Sequence, residues 1–186
     1  MDEISDDDLI LMYRSGDAEA FEVLFDRHYR SVFNFAFYMV RDAGRAEDIL
    51  QETFLAAART AKRCEPRGHF RAWLMRIVRN RSLNSIESER LRRGVLTGCE
   101  LETGGCASCE PSPVQNLEAD EAAAIVRERI LDLPERQREA IVLYAFEAMG
   151  YQEIAETLDL PVNTVKTLIH RARAELARAL GKNEER

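Results

Sequence analysis

Nowhere along this chain do apolar and polar residues alternate for the length of a β-strand. Apolar positions recur instead at intervals of three and four, as in helices with one buried face. Glycine and proline, which would interrupt such helices, gather at a few places. The pattern restricts the fold to all-α. Asp6 to Ser15 reads as a short helix stopped by Gly16. Asp17 can cap a longer second helix, on which Phe21, Leu24, Phe25, Tyr29, Val32, Phe33, Ala36 and Val40 form one broad stripe. Gly44 breaks the chain before a third helix, Arg45 to about Lys62. Beyond the loop RCEPRGH a fourth runs from Phe70 to about Arg90, with Phe70, Trp73, Leu74 and Ile77 facing inward.

Residues 94–116, GVLTGCELETGGCASCEPSPVQN, have no helical period and are rich in Gly, Ser, Pro and acids, the composition of a flexible linker. Four further helices are expected at about 117–131, 135–147, 151–158 and 162–180. The expected architecture is therefore two small helical domains, 1–94 and 117–186, joined by a linker at 95–116. A chain of 186 residues suffices for two such cores. No apolar run approaches the roughly 20 residues needed to span a bilayer. The acidic start, MDEISDDDLI, lacks the basic beginning of a signal peptide. A cytoplasmic protein without membrane insertion is expected.

The net charge of -7 is unevenly spread. Residues 59–93 hold 11 bases against 3 acids, and residues 162–182 hold 5 against 1, whereas residues 95–120 hold five acids and no base. An acidic whole opposes indiscriminate binding to nucleic acid, but local basic faces still permit it. The second basic stretch lies in YQEIAETLDLPVNTVKTLIHRAR, two short helices hinged at Asp159-Leu160-Pro161. At roughly 100° per residue, Ile169, Ala172 and Leu176 fall within about 40° of Val165 and make with it a buried seam. Asn163, Thr167, His170 and Arg171 then lie on the far side, with Lys166 and Arg173 on a flank. Such a pair is the helix-turn-helix design, in which one helix braces and the other enters the major groove. Lys and Arg can donate to guanine, Thr can meet a thymine methyl, and Arg173 is better placed for phosphate. On these residues alone, an ordinary surface hairpin remains the alternative.

DLPVNTVKTLIHRARAEL and LPERQREAIVLYAFEAMGYQEIA resemble the two halves of domain 4 in the extracytoplasmic-function (group 4) sigma factors of bacterial RNA polymerase. AEDILQETFLAAAR is similar to the polymerase-binding helix of sigma domain 2, and FRAWLMRIVRNRSLNSI to its promoter-melting helix. The likeness runs over about residues 6–93 and 117–181, in family order, with the linker unmatched. It implies a transcription initiation factor that binds core polymerase and directs it to -10 and -35 promoter elements, with no catalysis of its own. Asp48, Gln51 and Glu52 share a helical face; the resemblance docks that face, with Phe54 of the same motif, on the clamp helices of the β′ subunit. For the -10 element it implicates Arg76, Arg79, Asn80 and Asn84 on the fourth helix, Asn80 beside a pocket for a flipped base. Arg63, Arg67 and His69 would shape that pocket. Cys64 stands where the family often has an aromatic residue, and Pro66 interrupts the usual Arg-Gly turn, so the base read there stays open. Trp73 continues the Phe70/Ile77 seam and reads as core.

For the -35 element the resemblance points to the outward set of the last helix: Asn163, Thr164, Lys166, Thr167, His170, Arg171 and Arg173. Leu133, Ile141, Leu143 and Phe146 divide between the core of domain 4 and a surface toward the β flap. Gly150 stands where a capping Ser is common. The family is commonly held inactive by an anti-sigma factor, which is therefore an expected partner beside core polymerase and promoter DNA. Cys99, Cys106 and Cys109 lie together in the linker, the last two as C-x-x-C. They could chelate zinc or form a disulfide, with a fourth zinc ligand from Cys64, His69 or another chain, or be plain exposed thiols. No cofactor is otherwise expected. A stand-alone helix-turn-helix regulator is the competing function. An enzyme has little support, since no phosphate-cradling Gly loop or nucleophile motif occurs and the three histidines are scattered.

Overall fold

The computed structural model describes residues 4–61, 70–96 and 117–181, all in helices and short connections, with no strand among them. The helices are α1 (Asp6–Arg14), α2 (Glu19–Val40), α3 (Ala43–Ala61), α4 (Phe70–Leu96), α5 (Leu117–Asp132), α6 (Glu135–Ala145), α7 (Tyr151–Leu158) and α8 (Val162–Gly181).

Local chemistry sets most boundaries. The Ser5 hydroxyl accepts the Asp8 amide, and Asp6, Asp7 and Asp8 place negative charge at the positive end of α1. Gly16, at φ 108°, takes the left-handed turn that ends it. The Asp17 carboxylate accepts the Glu19 amide at 3.0 Å and so starts α2. The expected break at Gly44 is displaced. Arg41, at φ 58°, terminates α2, and the Asp42 carboxylate accepts the Arg45 amide at 2.7 Å, leaving Gly44 inside the first turn of α3. Helix α4 likewise runs six residues past the expected end at Arg90, through Gly94 to Leu96. A Glu89–Arg93 pair at 3.0 Å supports those last turns.

Helices α1 to α4 pack around α2, whose Leu24, Val32, Phe35 and Ala36 are wholly buried with Ala46 and Ala57 of α3 and Leu74 and Val78 of α4. Each such Leu or Phe contributes about 1.5–3 kcal/mol of burial free energy. Asp6 pins α1 to α2: its carboxylate contacts His28 Nε2 at 2.6 Å and the Arg27 guanidinium. A second core joins α5 to α8 through Ile130, Leu143, Ile154, Leu158, Val165 and Ile169.

The two expected helical domains lie in contact with one another. Helix α2 packs against α5 and α6, and α4 packs against α7, so the halves form a continuous body. The cause is visible on α2, which is apolar on more than its stripe toward its C-terminus. Phe35, Tyr38, Met39 and Val40 are all buried, and Tyr38 meets Phe146, just beyond α6, at 5.1 Å between rings.

Candidate nucleic-acid and polymerase interfaces

Helix α7 opens with Gly150 as its cap. The Glu153 carboxylate accepts the Gly150 amide at 2.7 Å; glycine, lacking a side chain, cannot supply the reciprocal half of a capping box. Asp159 turns the chain at φ 55°, and the Pro161 carbonyl accepts the Thr164 and Val165 amides at 2.9 and 3.2 Å to start α8. On α8, Val165, Ile169 and Ala172 are buried and Leu176 half-buried, while Asn163, Thr164, Lys166, Thr167, His170, Arg171 and Arg173 are all exposed. The Thr167 hydroxyl donates back to the Asn163 carbonyl at 2.9 Å. Among the described residues no carboxylate pairs with Lys166, Arg171 or Arg173.

On α3, Asp48, Gln51 and Glu52 project together to solvent. Phe54 does not join them. It is buried against Phe25 at 4.6 Å and Phe21 at 6.3 Å, so it supports the helix from beneath and cannot touch a partner directly. The apolar member of the outward face is Leu55, 57% exposed. Its spacing of three, four and seven from Glu52, Gln51 and Asp48 was a readable signal that the Phe54 assignment passed over.

The cations of α4 are differently placed from those of α8. Asn80 and Asn84 are exposed, but Arg79 is buried, its Nε donating to Glu139 Oε1 of α6 at 2.9 Å. Arg136 reaches the other oxygen of Glu139 at 3.4 Å. Arg76 donates to the Glu156 carbonyl of α7 at 2.7 Å. Arg71 pairs with the buried Glu147 carboxylate at 3.2 Å, and Arg90 with Glu135 at 3.5 Å. Of the two arginines expected at the -10 element, Arg79 is therefore buried on Glu139, while Arg76 stays exposed and donates to a carbonyl of the C-terminal half. Burial pushes the Glu139 carboxyl above its ordinary value, against the opposing pull of Arg79 and Arg136.

Trp73 lies half-buried beside Phe70 at 5.6 Å. Leu133, Ile141 and Leu143 are core, and Phe146 stays 43% exposed against Tyr38. Arg63, Cys64, Arg67, His69, Cys99, Cys106 and Cys109 lie outside the described residues. Among the described residues no group of three or more His, Cys, Asp or Glu is placed to hold a metal.

A basic, groove-sized helix on a helix-turn-helix, joined to a helical half with its own arginine row, matches what known proteins show. The sigma-70 region 2 family matches residues 24–92 and the sigma-70 region 4 family residues 123–176. Over 180 residues the chain is 31% identical to the RNA polymerase sigma-H factor of Pseudomonas aeruginosa, covering 94% of this chain and 93% of that one. It is 30% identical over 177 residues to the ECF RNA polymerase sigma-E factor of Salmonella typhimurium, covering 92% of each. The chain belongs to the extracytoplasmic-function sigma factors.

This sigma factor is an initiation factor and not an enzyme; it works with core RNA polymerase and promoter DNA. Its fold is similar to that of CnrH, solved in complex with the cytosolic domain of CnrY, with a TM-score of 0.70 and 28% identity over 96% of this chain and 99% of that one. No helix among the described residues is long and apolar enough to cross a membrane.

Proposed function

We propose that three surfaces divide the work of initiation. The outward residues of α8 read the -35 element. Asp48, Gln51, Glu52 and Leu55 dock on the clamp helices of β′, with Phe54 bracing them from the core. Asn80 and Asn84, joined by Arg76, Arg79 and the loop residues Arg63, Arg67 and His69, handle the -10 element once the halves separate. The observation that carries this reading is the contrast in pairing. In a chain of net charge -7, Lys166, Arg171 and Arg173 are exposed and have no carboxylate partner among the described residues, which leaves them available for phosphate.

The sigma factor acts in the cytoplasm, needs no cofactor, and is held by an anti-sigma factor; the likeness to CnrH, bound to the cytosolic domain of CnrY, supports the last point. Run-off transcription with bacterial core polymerase on a genomic library tests the assignment. It should yield discrete transcripts whose promoters share boxes near -10 and -35, and Arg171→Ala should relax selection at the -35 box. Discrete promoter binding by the free chain, with no polymerase requirement, would instead mark a stand-alone regulator.

A further inference from the structure

Helix α1 packs against both α2 and α4 and is fastened at its first residue. One oxygen of the Asp6 carboxylate meets His28 Nε2 of α2 at 2.6 Å, and the other meets the Arg27 guanidinium, which also donates to the Ile4 carbonyl at 3.1 Å. Burial would raise the Asp6 carboxyl, but His28 and Arg27 outweigh it and hold it below its ordinary value. A carboxylate can only accept, so Nε2 carries the proton and donates. That hydrogen bond fixes the plane of an imidazole that belongs to a residue only 6% exposed.

The imidazole does more than hold α1. Its ring lies 5.5 Å from that of Phe70, tilted by 59°, and Phe70 in turn meets Trp73 at 5.6 Å. Phe70 is buried, and α4 begins with it. In the chain it directly follows His69, the last of the three residues proposed for the -10 pocket, and the same helix carries Asn80 and Asn84. A contact therefore runs from the first turn of α1 through one buried imidazole to the first residue of the -10 helix. A pocket for an extruded base has to stand in place before the base arrives, because capture must offset the stacking that is lost.

We infer that Asp6 and His28 are positioning residues for promoter opening: through the Phe70 ring they set where α4 starts. Asp6 orients the imidazole, the imidazole seats Phe70, and Phe70 fixes the first turn of the helix that handles the melted strand. Neither residue touches DNA. The inference rests on α4 handling the -10 element and extends that reading to a latch formed by α1 and α2.

The test uses holoenzyme reconstituted from full-length chain and bacterial core polymerase on the promoter found by run-off transcription. Opening is followed by the permanganate reactivity of unpaired thymines. Asp6→Asn and His28→Phe both disrupt the charged hydrogen bond while keeping a ring beside Phe70. Each should slow opening about three- to tenfold, the net worth of one hydrogen bond, with affinity for core polymerase unchanged. The double variant should be no slower than the slower single, since both changes act on one contact. Ser5→Ala controls for mere loosening of α1: it removes the cap, whose hydroxyl accepts the Asp8 amide at 3.2 Å, but leaves Asp6 and His28 paired. Its opening rate should match wild type. A wild-type rate in Asp6→Asn, a half-buried position where the fold is retained, or equal slowing in Ser5→Ala, overturns the positioning role. Asn80→Ala separates the two readings. If it opens the promoter at the wild-type rate, the -10 role of α4 falls and the latch with it; if it slows opening while Asp6→Asn does not, the latch alone falls.

Discussion

Replacing Arg79 by Met tests the closed arrangement most directly. Glu139 is 0% exposed and Arg79 only 9%, and their 2.9 Å contact joins the two halves. Removing one partner of a buried pair costs about 3–5 kcal/mol, because the other charge stays desolvated. Arg136 still reaches Glu139 at 3.4 Å, so the lower end applies: about 3 kcal/mol, on the order of a 100-fold shift from closed to open. Small-angle scattering on the free chain at neutral pH should show Arg79→Met more extended than wild type. The pH response has a definite sign. Burial raises the Glu139 carboxyl in the closed form, so closed protein binds the extra proton. Closure is strongest below the ordinary carboxylate value and weakens as pH rises through the raised one. Without Arg79 that window moves higher, so acidification should re-close the variant. In Arg79→Met/Glu139→Leu both charges are gone, and compactness should return with little pH response. A single variant as compact as wild type at neutral pH, with no added acid response, would refute the argument.

Leu24→Ala empties a wholly buried site at the centre of α2 and should lower unfolding stability by about 2–5 kcal/mol, read as a shifted urea midpoint. Leu55→Ser, at a 57% exposed position, should reduce affinity for core polymerase on the order of tenfold with melting temperature unchanged; a hot-spot apolar contact has that size. Asp6→Asn should free α1, at about 1 kcal/mol in the same urea assay after allowance for partial exposure. Burial alone would raise the Asp6 carboxyl, but His28 and Arg27 outweigh it and hold it low. Its stabilisation is therefore present above the ordinary carboxylate value and disappears as pH falls through the lowered one.

Periodicity located the eight helices of the described residues because each has an apolar face that must be covered, and it placed Val165, Ile169 and Ala172 inward and Lys166 and Arg171 outward on α8. It failed where a residue's role depends on a neighbour distant in sequence. Phe54 follows Glu52 and Thr53 on α3, yet its ring is claimed by Phe21 and Phe25 of α2. Gly44 looked like a breaker, but the Asp42 cap and the left-handed Arg41 had already turned the chain. The partners of Arg76 and Arg79, Glu156 and Glu139, lie 80 and 60 residues away and leave no local trace in the pattern of α4.

The acidic balance of the chain acquires a structural meaning from those distant pairs. A glutamate beside an arginine presents the same partner as a phosphate: an oxyanion at hydrogen-bond distance. Glu139, Glu147 and Glu135 so occupy Arg79, Arg71 and Arg90, and the Glu156 carbonyl takes Arg76. Opening the body exchanges these contacts for others of like kind, so the net free-energy change is small compared with either set alone. A modest differential affinity of polymerase for the open form is then enough to move the population, at 1.4 kcal/mol for each factor of about ten. Among the described residues no carboxylate pairs with Lys166, Arg171 or Arg173 of α8, and α8 packs chiefly on α5, α6 and α7. The contact between the halves therefore engages the arginines of α4, burying Arg79, and leaves the cations of α8 exposed. Acidity is thus set against the arginines of α4 and, among the described residues, withheld from the cations of α8.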